Sequence, residues 1–265
     1  MAKQRVDQVL VDQGLFPSRE QAKRAVMAGI VFIGDKRIDK PGTGIDPRSE
    51  LYVKGQSLAY VSRGGLKLAK ALDKFDLDVS GQVVMDVGAS TGGFTDCLLQ
   101  NGATKVYAID VGYGQLHWTL RQDPRVVVME RTNVRYLATG DLPELPNMAT
   151  IDVAFISLTK FFHSLLNLLT NDGQIVALIK PQFEAGREFV GKKGVVRDPD
   201  VHIRVINHLM QVLQDGVGLV GLTYSPIKGP EGNIEYLAHF HKGQCKAWDN
   251  SWAETVVRSA FEDTQ

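Results

Sequence analysis

The stretch Val84-Met85-Asp86-Val87-Gly88-Ala89-Ser90-Thr91-Gly92-Gly93-Phe94 decides the fold. A short apolar β-type run enters a glycine-rich turn and leaves it as a helical pattern. In an open α/β sheet the first such turn lies at the carboxyl edge, where ligands bind, and its glycines let the backbone come close to the ligand. The spacing is not Gly-x-Gly-x-x-Gly: the second glycine, which makes room for a pyrophosphate, is missing, and this counts against a dinucleotide. Asp86, at the strand end, suits a ligand bearing a positive amino group. Gly88, Ser90, Gly92, Gly93 and Phe94 complete the candidate binding turn.

Outward from this turn the same texture repeats. Apolar runs at 83–87, 105–109, 126–129, 151–156, 175–179, 217–222 and 234–240 alternate with helical periods such as 94–100 and 202–213. This rhythm predicts a mostly parallel sheet with helices on both faces. The last two runs are separated only by a Pro/Gly turn at 226–232, too short for a helical crossover, so they are expected to pair antiparallel at one end of the sheet. Seven strands with that ending is the layout associated with class I methyltransferases, a Rossmann-like α/β fold. The second run closes in Ala108-Ile109-Asp110, and a carboxylate there can accept hydrogen bonds from both ribose hydroxyls of an adenosine. Thr132 and Asn133, beyond the third run, are expected over the adenine edge.

Bulk properties fit a globular chain of 265 residues with 44% apolar and 23% charged residues. The net charge of zero hides an asymmetry: residues 1–70 carry 13 Lys+Arg against 7 Asp+Glu, and the rest carry 17 against 23. A basic head on an acidic body is the footprint of a polyanion-binding module joined to something with another task. The head reads as two helices, with Val6, Val9 and Leu10 in the first and a capping-box pair, Ser18 and Gln21, opening the second. A small hairpin-rich sheet follows. Lys3, Arg5, Arg19, Lys23, Arg24, Lys36 and Arg37 are the head's candidate contacts to a polyanion backbone, with Arg63 just beyond it, supplying salt-dependent affinity but little sequence information. Two distant cysteines, Cys97 and Cys245, form neither a disulfide framework nor a metal-like spacing, and no signal peptide or membrane span is evident, so a cytoplasmic location is expected.

Four chemically apt side chains stand at strand ends or on the helix entering the larger domain. Asp152 begins the fourth run, Lys180 closes the fifth, Glu235 opens the last, and Lys67 follows Ser62-Arg63-Gly64-Gly65-Leu66. A hydroxyl is a poor nucleophile at neutral pH. A lysine can take its proton or stabilise the developing alkoxide, with acids to steer it.

The segments 60–68, 86–94, 151–158, 180–184, 191–198 (with Gly-Val-Val-Arg-Asp) and 229–235 together resemble the TlyA family, historically called haemolysin A. The resemblance spans nearly the whole chain in order. It implies an S4-like RNA-binding domain at 1–60 and an FtsJ-like methyltransferase domain at 61–265. It further implies S-adenosylmethionine as cofactor and ribosomal RNA or ribosomal subunits as partner, with no membrane and no obligate protein partner. The expected reaction is 2′-O-methylation of a cytidine ribose. By the same resemblance Lys67, Asp152, Lys180 and Glu235 match the family's Lys-Asp-Lys-Glu tetrad, with Lys180 acting on the hydroxyl. The sequence departs from FtsJ proteins at Thr91, where that group often has proline, and from some relatives at Leu58-Ala59-Tyr60, which replaces an Arg-aromatic linker. The competing readings are a haemolysin-like membrane-active protein, which would need an amphipathic or spanning segment, and a methyltransferase acting on a small molecule.

Overall fold

The computed structural model describes residues 3–16, 18–34, 36–54, 59–244 and 248–263; Pro17, Asp35, Leu58 and Cys245 lie outside them. In the head, β1 (Gln4–Arg5) runs straight into α1 (Val6–Asp12), and α2 (Arg19–Met27) follows. Helices this short are marginal alone and are held by a common apolar stripe. Val6, Val9 and Leu10 meet Ala22, Ala25 and Val26 in one small core. The Ser18 hydroxyl accepts from the Gln21 backbone N–H at 3.4 Å, capping α2, and Gly29 at φ +71° ends it. The chain continues through β2 (Val31–Ile33), β3 (Lys36–Arg37), β4 (Gly44–Ile45) and β5 (Leu51–Val53). β2 is flanked antiparallel by β3 and β5, whereas β4 pairs with β1. β4 falls in the Pro/Gly-rich stretch 41–47, where burial of Ile45 in the head core draws it into a strand.

The larger domain contains α3 (Gly64–Lys74), β6 (Val83–Val87), α4 (Gly93–Gln100), β7 (Lys105–Ile109), α5 (Trp118–Gln122), β8 (Val126–Met129), β9 (Met148–Ile151) and α6 (Phe162–Leu166). It continues with β10 (Gln174–Ile179), α7 (Pro181–Glu184), α8 (Pro199–Leu213), β11 (Val217–Tyr224), β12 (Tyr236–Lys242) and α9 (Asn250–Asp263). The seven strands lie in the order β11-β12-β10-β9-β6-β7-β8. All neighbours are parallel except around β12, which is antiparallel to both β10 and β11. Strand residues alternate between two cores, as a two-residue period requires. Met85, Val87, Tyr107, Ile109, Ile151 and Ile179 face α6, α8 and α9, while Val84, Val106, Ala108, Val176 and Leu178 face α3, α4 and α5.

Chain direction across the sheet reverses between β6 and β9, and at such a switch point the loops leaving the carboxyl ends diverge and open a crevice. This geometry corrects the fourth strand, expected at 151–156. It ends at Ile151, level with Val87 of β6, and residues 152–156 leave the sheet as crevice wall, with Phe155 at φ +65°. Strand-like composition in that segment serves the crevice instead of the ladder. The last strand is likewise displaced from 234–240 to Tyr236–Lys242, leaving Glu235 just before it. At the carboxyl terminus α9 sets Ala253, Val257 and Ala260 into the α8 face, and Trp248 donates its indole N–H to Asn207 Oδ1 at 2.8 Å. Among the described residues no helix is long and apolar enough to cross a membrane.

Candidate active site

Strand register alone brings three of the four candidate groups together. Val87 pairs with Ile151 and Ile179 with Tyr236, so the next residues outward, Asp152, Lys180 and Glu235, share the carboxyl edge. Pro181 at the first position of α7 stops β10 and turns the chain there, a place where its missing N–H costs nothing. Lys67 arrives from α3, whose amino end lies against that of α4. A Cβ on Gly93 would sit 2.9 Å from the Gly65 backbone nitrogen and 2.3 Å from Ser62 Oγ, so only glycine permits this approach.

The result is a chain of alternating charge. Lys67 Nζ lies 2.6 Å from Glu235 Oε2 and 3.9 Å from Asp152 Oδ2, while Lys180 Nζ lies 2.5 Å from Asp152 Oδ1. Burial by itself would depress the Lys67 ammonium, but the Glu235 and Asp152 carboxylates outweigh it and hold its pKa above the ordinary lysine value. For Asp152 burial pulls upward, and Lys67 and Lys180 overcome it, so its pKa lies below the usual carboxylate range. Glu235 is fully buried, and its Oε1 has no hydrogen-bond partner among the described residues.

Two cavities meet at this cluster. One, of about 530 Å³, runs from Gly88 and Ser90 past Asp110 to Thr132, Asn133 and Phe155. Gly88 has φ +87°, and a Cβ there would stand 2.4 Å from the Asp152 carbonyl oxygen, so the floor of the crevice tolerates no side chain. The Asp110 carboxylate accepts from the Ser90 and Gly112 backbone N–H groups at 2.8 and 2.7 Å, which fixes the turn and leaves lone pairs facing the cavity. Asn133 Oδ1 is taken by the Arg135 backbone N–H, and Thr132 Oγ1 donates to the Glu130 carbonyl. Phe155 is 89% exposed at the rim, its ring 5.1 Å from that of Phe183. Phe155 was missed in the sequence because a Phe inside an apolar run reads as core, and Phe183, between Gln182 and Glu184, carries no pattern that singles it out.

Asp86 lies elsewhere. It is fully buried, accepts from Thr95 Oγ1 at 2.6 Å, and lines neither cavity; it pins the first turn of α4 beneath the glycine loop. Burial pushes its carboxyl up to about 7. The folded chain then holds a proton that the unfolded chain has already lost, so this contribution is full below the unfolded carboxylate pKa and disappears as pH rises through 7. Asp86→Asn, which keeps an acceptor for Thr95, is expected to gain about 2–3 kcal/mol relative to the parent between pH 5 and pH 8. Urea unfolding at the two pH values measures this; parallel behaviour of the two proteins would show an unperturbed carboxyl.

The second cavity, of about 440 Å³, holds Lys67, Asp152, Lys180 and Glu235, and the head forms one of its walls through Gln13, Leu15, Arg48, Ser49, Glu50 and Leu51. Gln13 Nε2 ties that wall in place by donating to the Pro47 and Ser49 carbonyls at 3.0 and 2.9 Å. Several head cations expected to face a polyanion have partners within the chain. Arg5 and Arg19 both donate to the buried Asp7 carboxylate, and Arg24 pairs with Glu20 and Arg37 with Asp39. Lys3, Lys23 and Lys36 are exposed without an ion pair among the described residues. Arg63 sits at the amino end of α3 beside the four-residue cluster.

Comparison with known proteins places these features. The family profile described as FtsJ-like methyltransferase matches residues 60–242, and that of the S4 domain matches residues 4–51. The chain is 56% identical, over 90% of its length and 86% of the relative's, to the "Putative rRNA methyltransferase YqxC" of Bacillus subtilis. It is 42% identical to the 16S/23S rRNA (cytidine-2′-O)-methyltransferase TlyA of Mycobacterium tuberculosis, over 98% of this chain and 97% of that one. The solved structure of a "putative hemolysin" from Streptococcus thermophilus superposes with a TM-score of 0.83 at 50% identity, covering 99% of this chain and 97% of the other.

Proposed function

The chain belongs to the FtsJ-like methyltransferase family, in its TlyA/haemolysin A branch, and from that premise we propose that it methylates the 2′-oxygen of a cytidine ribose in ribosomal RNA, in the cytoplasm. Residues 1–60 act as an S4-like RNA-binding domain and 61–265 as the methyltransferase domain. The observation that carries this reading is the chain Glu235–Lys67–Asp152–Lys180 standing between the 530 Å³ crevice and the cavity walled by the head.

The crevice fits S-adenosylmethionine. It is in the size range of small-ligand sites, has a glycine floor where a Cβ would collide, and presents the Asp110 carboxylate toward a ribose edge. When bound, this cofactor supplies a methyl group on a sulfonium, transferable to an oxygen nucleophile with departure of a neutral thioether. Gly88, Ser90, Gly92, Gly93 and Phe94 shape the loop around it; Asp110, Thr132 and Asn133 hold the nucleoside, and Asp86 keeps the α4 end in place. Asp110→Ala is expected to weaken cofactor binding on the order of 30-fold, through lost ribose contacts and a loosened Ser90 turn. Calorimetric titration measures it, and an unchanged Kd would remove Asp110 from the site.

Lys180 stands at the ribose 2′-hydroxyl. As an ammonium directed by Asp152 it stabilises the developing alkoxide while the hydroxyl proton leaves to solvent; to accept that proton itself it first gives up one of its own. Lys67 neutralises Glu235 and completes the polar end of the cavity. The exposed Phe155 ring offers a surface on which a base drawn out of its helix can stack. The test is transfer of labelled methyl from S-adenosylmethionine to purified ribosomal subunits by the full chain. Incorporation into RNA of a subunit supports the proposal; incorporation only into small-molecule acceptors overturns it.

A further inference from the structure

The motif at 191–198 is not used by the cluster just described, yet it is held in a defined place. Gly191 N–H donates to the Val195 carbonyl and Gly194 N–H to that of Gly191, forming a tight loop with Lys192 and Lys193 at its exposed tip. Buried Asn233 clamps this loop, donating from Nδ2 to the Gly194 carbonyl at 3.0 Å and accepting at Oδ1 from the Val196 N–H at 3.3 Å. His202, also buried, bonds to the Val196 carbonyl at 3.0 Å and to Tyr236 Oη at 2.7 Å. Three hydrogen bonds, two of them buried, thus order a loop whose charged tip has no packing role of its own.

That tip lines a cavity of about 540 Å³ between the head and the larger domain. Lys3, Gln4, Asp12 and Pro47 line one side, and Lys192, Lys193, Arg197 and Glu231 the other. Arg63 and Gln13 line both this cavity and the one holding Lys180, so the two are adjacent. The charge is uneven: five cations face two acids, and Gln4 and Gln8 both donate to Asp12. Head arginines 5, 19, 24 and 37 are matched to carboxylates, but Lys3, Lys192, Lys193 and Arg197 have no ion pair among the described residues. Unpaired cations on an ordered loop, spaced around a groove that opens toward a ribose site, match a phosphodiester chain.

We propose that this interdomain groove binds the backbone phosphates of the RNA strand next to the target nucleotide, through Lys192, Lys193 and Arg197 opposite Lys3. The proposal rests on the RNA-methyltransferase reading above. Asn233 is a positioning residue here: two residues before Glu235, it links the phosphate-binding loop to the catalytic edge.

The test uses the full chain with Lys192, Lys193 and Arg197 all changed to alanine, exposed positions where a folding defect is not expected and where an unchanged Tm checks this. Binding to unmethylated ribosomal subunits and to naked ribosomal RNA is measured across a salt series, separately from methyl transfer. Three lost phosphate contacts flatten the slope of log K against log salt by about 2 and weaken binding on the order of 100-fold at 0.1 M salt. Cofactor affinity stays within about twofold, since these side chains lie outside that crevice. An unchanged slope, or weakened binding to subunits with naked RNA unaffected, overturns the proposal; the second outcome assigns the groove to an acidic protein. Because binding is read directly, absence of methyl transfer in the parent would count against the enzymatic reading and leave this result interpretable.

Discussion

Lys180→Ala is expected to lower the rate of methyl transfer by about a thousandfold at saturating cofactor and RNA, with the affinity for both nearly unchanged. The lysine is only 12% exposed and its nitrogen is anchored 2.5 Å from Asp152 Oδ1, so it is a group held in one direction and not a mobile surface cation. Positioned proton transfer contributes about 10²–10⁴ to a rate, and fixed charge beside a developing alkoxide contributes a comparable amount. Neither effect is replaced by water entering the space left by the side chain. Single-turnover kinetics separate the chemical step from binding; a variant that keeps most of its rate would mean that Lys180 is a structural partner of Asp152 and nothing more.

A different kind of loss is expected at Lys67. Its Nζ is the hydrogen-bond partner of Glu235, which is fully buried and whose other oxygen has no partner among the described residues. Lys67→Met keeps much of the volume but leaves that carboxylate uncompensated, a change that destabilises by about 3–5 kcal/mol. The second substitution Glu235→Gln is expected to restore a large part of this in the same chain, because the uncompensated charge and not the missing ammonium is the source of the cost. Urea unfolding of the parent, the two single variants and the double variant measures the coupling. Additive losses would mean that the 2.6 Å contact contributes little.

Much of this arrangement was readable from residues alone because sheet geometry constrains it. Parallel strands with apolar runs of similar length end level with one another, so Lys180, written just beyond the fifth run, had to share an edge with the glycine turn, whereas Asp152, read as opening the fourth run, reaches that edge because β9 ends at Ile151. Antiparallel return of the last strand adds Glu235 for the same reason. Composition misled at 151–156, where apolar residues line a crevice instead of continuing a strand, and at Asp86, whose bond to Thr95 depends on the direction of a buried side chain. In the head, Arg5–Asp7 and Arg37–Asp39 are two residues apart, so these pairs are written in the sequence, although spacing does not say whether such side chains face each other or a ligand. The groove between the domains could not be read at all. It exists because Gly14, at φ +71°, lets the end of α1 approach Ile227, with a Cβ position 2.9 Å from that side chain, and because Asn233 holds a loop nearly forty residues away.

In the proposed reaction the Glu235–Lys67–Asp152–Lys180 cluster directs a methyl group to a ribose oxygen. Nucleoside analysis of ribosomal RNA after incubation with the full chain and labelled S-adenosylmethionine locates the transferred methyl. The expected result is label recovered as 2′-O-methylcytidine, in a dinucleotide that resists alkaline cleavage, and none from the Lys180→Ala protein. Label recovered on a base, in RNA that alkali cleaves completely, would contradict it.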